Sequence, residues 1–178
     1  KRRFKLETRE KQYNMLLEIA KSGGLSSFGL MANESWNNDP KRTLFTLSRY
    51  KFISRMFEGF NNVIEVGCAD AFGTRLVQQT VNNVTVTDFD PVFIQDVESR
   101  KAKKWPLSAH LHDMVQDGPF EKEQYDGLFA LDVLEHITKA DERIFIQNCC
   151  ETITPHGSLI FGMPSLESQS YASPQSKE

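Results

Sequence analysis

Two rhythms of apolar residues divide the chain. Before residue 60 the apolar positions recur at helical spacing. Leu6, Tyr13, Leu16, Leu17 and Ile19 predict a helix over residues 4–20, stopped by Ser22-Gly23-Gly24. The segment through Asn33-Glu34-Ser35-Trp36-Asn37-Asn38-Asp39-Pro40 is polar and reads as irregular. Leu44, Phe45, Leu47, Tyr50, Ile53 and Phe57 then form the inward stripe expected of a helix over 41–58. Beyond residue 60 short apolar runs alternate with helical stretches. Strands are predicted at 63–66, 84–87, 108–112, 125–131 and 158–162. Helices are predicted at 73–79, from residue 91 toward 104, and at 139–153.

Strands alternating with helices imply right-handed crossovers, hence an α/β fold with a Rossmann-like, doubly wound, mostly parallel sheet. The expected organisation is N-terminal helices and a cleft-covering segment over 1–60, a core over 61–164, and a polar loop over 165–178. Composition adds bounds. The chain has 178 residues, 39% hydrophobic and 25% charged, which suits one globular domain. A net charge of -3 gives no general pull toward nucleic acid or an anionic membrane. The basic runs at 1–3 and 100–104 read as solvated helix faces. Cys68, Cys149 and Cys150 make no disulfide framework, so a reducing cytoplasm is expected. No apolar run approaches the roughly 20 residues of a membrane span. The chain starts with lysine rather than methionine, which suggests a processed or partial chain.

Ligands of an open parallel sheet bind beyond the carboxyl ends of its strands. The first such turn reads Val63-Ile64-Glu65-Val66-Gly67-Cys68-Ala69-Asp70-Ala71-Phe72-Gly73. Gly67 lets backbone approach a ligand, and the helix starting near Gly73 offers free amides. Yet Ala69 and Phe72 stand at the second and third glycine positions of a dinucleotide fingerprint, which argues against a pyrophosphate. Glu65 would repel phosphates but could orient an ammonium, directly or through water. Asp88 follows Gly67 by 21 residues, close to the spacing at which a carboxylate grips ribose hydroxyls; the lesser alternative is a turn aspartate starting a helix before Pro91. Phe89 is placed to pack on a base. Asp113, after the third strand, could accept from an exocyclic amine, with Met114 beside it.

Glu65-x-Gly67, Asp88, Asp113 and the run Tyr125-Asp126-Gly127-Leu128-Phe129-Ala130-Leu131-Asp132-Val133-Leu134-Glu135-His136-Ile137 together resemble the class I S-adenosylmethionine-dependent methyltransferases. The branch they resemble contains ubiquinone-biosynthesis-type O-methyltransferases and glycan and small-molecule methyltransferases, and the resemblance covers residues 49–165. It implies S-adenosyl-L-methionine as cofactor and S-adenosyl-L-homocysteine as product. Glu65 and the backbone at Gly67 and Ala69 would hold the methionine amino end, and Arg49 its carboxylate. Asp88 would take the ribose, Phe89 the adenine face, and Asp113 with Met114 the adenine amine. Leu131 and Asp132 would line the cleft near the sulfonium. The family usually has glycines where Ala69 and Ala71 stand, a departure costing about 1 kcal/mol per left-handed residue. Its sheet normally continues through two further strands that this sequence does not contain.

Methyl transfer is an in-line displacement that needs a base only where the acceptor must lose a proton. His136 is placed to act as that base, or else pairs with Glu135 to stabilise the turn; the two could also join a metal site, but no complete ligand set is readable. The segment after the fourth strand lacks the Asn/Asp-Pro-Pro-Tyr type loop of enzymes that methylate planar nitrogens, which favours an oxygen acceptor, less surely a carbon; the branch resembled implies a hydroxyl of a small molecule or sugar. His110, His112 and His156 read as structural or exposed. Trp36 with residues 39–42 is a candidate cover of the cleft or a core residue, and Tyr171 lies where acceptor loops usually fall. The competing readings are a nicotinamide-dependent oxidoreductase, which leaves Glu65 and Asp113 unexplained, and a non-catalytic scaffold that keeps the fold. A homo-oligomer is compatible with each.

Overall fold

The computed structural model describes residues 7–170. Its centre is a five-stranded sheet in the order β3-β2-β1-β4-β5, every pairing parallel. The strands are β1 (Asn62–Val66), β2 (Asn83–Asp88), β3 (Ser108–Leu111), β4 (Tyr125–Leu131) and β5 (Ile153–Gly162). Helices α1 (Asn14–Gly23), α2 (Leu30–Asn38) and α3 (Pro40–Met56) precede the sheet. Between and after the strands come α4 (Thr74–Val77), α5 (Pro91–Ser99), α6 (Glu142–Thr152) and the short α7 (Leu166–Gln169).

The central strands are apolar on both faces because helices cover both. Period-2 alternation sends Val63 and Glu65 of β1 toward α3, and Ile64 and Val66 toward α6. On the α3 side Val63 joins Tyr50, Ile53, Phe57, Val86 and Phe129 in one buried cluster. On the other side Ile64 and Val66 pack with Leu128, Ala130, Phe145 and Cys149. Glu65 therefore enters an apolar layer beneath α3.

The structure departs from the sequence expectations at several elements. The expected irregular segment holds a helix, α2. Leu44 and Phe45, expected to face inward on α3, are 68% and 69% exposed, and the buried stripe is Thr43, Tyr50, Ile53, Ser54 and Phe57. The first helix starts at Asn14, after a 3-10 turn at Lys11–Tyr13, and runs through Gly23; residues 4–6 lie outside the described set. Helix α5 ends at Ser99, and α6 spans Glu142–Thr152. Strand β5 reaches back to Ile153, because a bulge at 154–157 carries the Pro155 and Gly157 that read as a turn. Gly157 fits that bulge tightly, since a Cβ there would lie 3.1 Å from the Asp126 carbonyl. Residues 166–169 form α7 where a loop was expected, and Tyr171 lies outside the described residues.

Candidate active site

The turn after β1 curls around the carboxyl end of the sheet. Gly67 (φ 69°), Ala69 (φ 45°) and Ala71 (φ 50°) all adopt the left-handed conformation. The alanines thus hold the backbone path that glycine adopts without strain. A Cβ on Gly67 would run into Val133, and one on Gly73 into the Tyr50 ring, so both sites admit only glycine.

A cavity of about 190 Å³ opens between this turn, α2, α3 and the segment after β4. It brings together six of the residues singled out from the sequence: Arg49, Gly67, Ala69, Leu131, Asp132 and His136. Arg49 and Asp132 form an ion pair across it, one residue from α3 and the other from the end of β4. Asp132 itself is left-handed (φ 55°).

Glu65 does not line the cavity; it is 1% exposed. The Tyr50 hydroxyl donates to its Oε1 at 2.5 Å and the Thr74 hydroxyl to its Oε2 at 2.5 Å. Burial pushes its pKa up to about 8, against the lowering effect of both hydroxyls. Tyr50, on the cavity wall, stands where the sequence reading put Glu65. Its own pKa is raised well above the usual value by burial and by Glu65.

Asp88, Phe89, Asp113 and Met114 lie outside the cavity, along the neighbouring strand ends. Asp88 is 5% exposed, and its Oδ2 and Oδ1 accept from the Ala69 and Asp90 amides at 2.8 and 2.9 Å. Burial raises its pKa while these amides lower it. This carboxylate therefore ties β2 to the loop. Asp90 in turn caps α5 by accepting from the Val92 amide at 2.9 Å. Phe89 is 71% exposed beside Asp88. Asp113 caps the following turn, with Oδ1 accepting from the Val115 and Gln116 amides at 2.8 and 3.2 Å. The Met114 carbonyl accepts from the buried Asn148 amide at 2.6 Å, which fixes the turn to α6.

Asp70 is a site residue that sequence reasoning missed. It is 5% exposed, and its Oδ2 accepts from the Ala32 amide at 2.6 Å. The Leu30 amide reaches Asp96 Oδ2 at 3.3 Å. The first turn of α2 is therefore capped by two carboxylates distant in sequence, which also suit the positive end of its dipole. Arg100 closes the network by donating to the Asp70 carbonyl and to Asp96, both at 2.6 Å. It is drawn inward, unlike the solvated face expected of the basic run. Helix α2 contributes Met31, Ala32 and Ser35 to the cavity wall, whereas Trp36 is 52% exposed and packs on Phe28 at 5.9 Å. Trp36 is thus not a core residue.

Of the remaining histidines, His112 meets the Gly118 carbonyl at 2.9 Å through Nε2, while His156 is exposed on the β5 bulge. His110 packs against Phe120. Among the described residues no group of three His, Cys, Asp or Glu side chains comes together as a metal site. No helix among them is long and apolar enough to cross a membrane.

An open parallel sheet with a tight left-handed turn after β1 and acidic residues at successive strand ends defines a Rossmann-like nucleoside-binding fold. The methyltransferase domain family matches residues 64–161, more than half of the chain, and the chain belongs to that family. It is 24% identical over 104 residues to a probable S-adenosylmethionine-dependent methyltransferase of Mycobacterium tuberculosis, covering 58% of this chain and 36% of that relative. A probable S-adenosylmethionine-dependent methyltransferase of Mycolicibacterium smegmatis is 23% identical, with 58% and 38% covered. The chain thus spans just over a third of the length of these relatives.

Among solved structures it is similar to the N-methyltransferase NodS of Bradyrhizobium japonicum in complex with S-adenosyl-L-homocysteine. That match has a TM-score of 0.58 and 24% identity, over 67% of this chain and 60% of the other. A DhpI complex with the same product matches with a TM-score of 0.60 and 16% identity, over 77% and 65%. The fold is that of class I S-adenosylmethionine-dependent methyltransferases.

Proposed function

We propose that the protein transfers a methyl group from S-adenosylmethionine to a hydroxyl oxygen of a small molecule or sugar, in the cytoplasm. The observation that carries this reading is His136 on the wall of the same cavity as the Gly67 turn and the Arg49–Asp132 pair. The cavity is smaller than the roughly 300–1,000 Å³ of a pocket that encloses a whole ligand. It suits the amino-acid end of the cofactor and the reacting centre. The groove past Asp88 and Asp113 suits the nucleoside end.

When bound, the cofactor supplies a methyl group on a sulfonium sulphur. Arg49 is the residue to hold its carboxylate, giving up part of its pairing with Asp132. The Tyr50 hydroxyl oxygen and backbone carbonyls of the Gly67–Ala69 turn would accept from the amino end, with Glu65 orienting Tyr50 from behind. Asp88 retains lone pairs beyond those its two amides use, enough to accept from ribose hydroxyls. Phe89 offers an exposed ring to the adenine, and Asp113 a carboxylate to its amine. Leu131 and Asp132 border the reacting centre, where His136 would take the proton from the acceptor hydroxyl. The left-handed Ala69 and Ala71 favour a working cradle over a scaffold that has lost it.

Calorimetric titration with S-adenosylmethionine, S-adenosylhomocysteine and NAD tests the reading. Both sulphur nucleosides should bind and NAD should not; binding of NAD alone would reverse the assignment. Asp88→Ala should weaken S-adenosylhomocysteine at least tenfold by leaving the ribose unpaired. An unchanged affinity would place the ribose elsewhere.

A further inference from the structure

Helix α3 continues the cavity wall past Arg49 toward its N-terminus, through Thr46, Thr43 and Arg42, with Ser35 contributed by α2. Two of these residues have binding capacity that the fold does not use. Thr43 is 8% exposed, and its hydroxyl is the one buried side-chain polar atom among the described residues without a hydrogen-bond partner. Serines on the same helix do not share this state. Ser48 donates back to the Leu44 carbonyl at 2.8 Å and Ser54 to the Lys51 carbonyl at 3.1 Å. Helical hydroxyls ordinarily find such relief, and a buried one left unpaired is costly.

Arg42 is only loosely engaged. Its Nη1 lies 3.6 Å from Glu34 Oε2, beyond ordinary hydrogen-bond length, and both side chains are partly exposed. Its planar fork suits a carboxylate or phosphate. Arg49 follows Arg42 by seven positions, so the two lie on one face of α3, on the order of 10 Å apart along the axis. That distance is too great for both to grip one small carboxylate. If Arg49 holds the cofactor, Arg42 serves a different anion. Of the acidic groups nearby, Asp132 is paired with Arg49 and Asp70 accepts from backbone amides, which leaves Glu34 as the competitor to be displaced.

We propose that Arg42 and the hydroxyls of Thr43, Thr46 and Ser35 form an acceptor subsite for an oxyanion. The methyl acceptor is then a hydroxylated molecule that carries a carboxylate or phosphate, such as an acidic sugar or a sugar phosphate. This inference rests on the methyltransferase reading above.

Calorimetry on the chain saturated with S-adenosylhomocysteine tests it, with glucuronate, glucose 6-phosphate and glucose as probes. At least one anionic sugar should bind tenfold or more tightly than glucose, and which of them does so identifies the anion. Arg42→Ala should abolish that preference without changing S-adenosylhomocysteine affinity, Arg42→Lys should restore part of it, and Thr43→Val should reduce it severalfold. Anionic sugars binding no better than glucose, absence of binding by all three, or a preference that survives Arg42→Ala would each overturn the subsite. Failure of S-adenosylhomocysteine to bind at the outset would instead remove the methyltransferase reading, and the subsite with it.

Discussion

At the residue scale the informative positions are two alanines. Ala69 and Ala71 sit at φ 45° and 50°, where a Cβ costs roughly 1–2 kcal/mol against glycine. Part of that cost is offset at Ala69, whose amide donates to Asp88 at 2.8 Å, and at Ala71, which is packed in the core. Ala69→Gly should therefore stabilise the fold by about 1 kcal/mol, raising the midpoint of urea unfolding at unchanged slope. A lowered midpoint would mean that the Ala69 methyl makes contacts worth more than the strain. Glu65 and Asp88 stood out in the sequence because a carboxylate ending an apolar strand is conspicuous. Their partners did not. Nothing local to Tyr50, Thr74 or the Ala69 amide says which carboxylate each will meet.

At the scale of elements, α2 shows most clearly why a helix can be invisible in a sequence. Its residues present no apolar stripe, and Gly29 at its N-cap has no side chain to cap with. The caps come instead from Asp70 and Asp96, 38 and 66 residues away. Asp70→Ala should cost about 1–2 kcal/mol locally and speed amide exchange across 30–38, with the sheet still protected. Asp70→Asn should recover part of this, since its amide oxygen can still accept. Exchange unchanged in both variants would show that packing of Phe28 on Phe72, at 5.1 Å, holds the helix without the cap. Strand β5 was half legible for a related reason: its regular part reads as apolar, while the bulge carries turn residues. The inner strands β1 and β4 were legible almost to the residue, because burial on both faces makes them largely apolar runs.

For the whole molecule, Glu65 links the site to global stability. Its folded pKa of about 8 lies above the ordinary value of 4.5, so between these limits the folded state binds more protons than the unfolded one. The contribution of this group to stability is therefore greatest at low pH, falls as pH rises from about 4.5 to about 8, and is level above that. Glu65→Gln keeps a neutral acceptor for Tyr50 and can pair with Thr74, but removes the titration. Its stability relative to wild type should grow between pH 5 and pH 8 in urea unfolding and then plateau. Parallel curves for the two proteins would mean that Glu65 is already ionised, with an unrecognised charge compensating it.

The sequence by itself determined the alternation of strands and helices, the doubly wound sheet, and the strand-end carboxylates, because periodicity and strand-end chemistry are local properties. The tertiary structure decided what those carboxylates do. It buried Glu65 behind Tyr50, committed Asp70 to capping a distant helix, paired Arg49 with Asp132, and turned a polar stripe on α3 toward a cavity. Each of these depends on which face of one element meets which face of another. That is settled only when helices close over the sheet and desolvation makes a buried polar group without a partner costly.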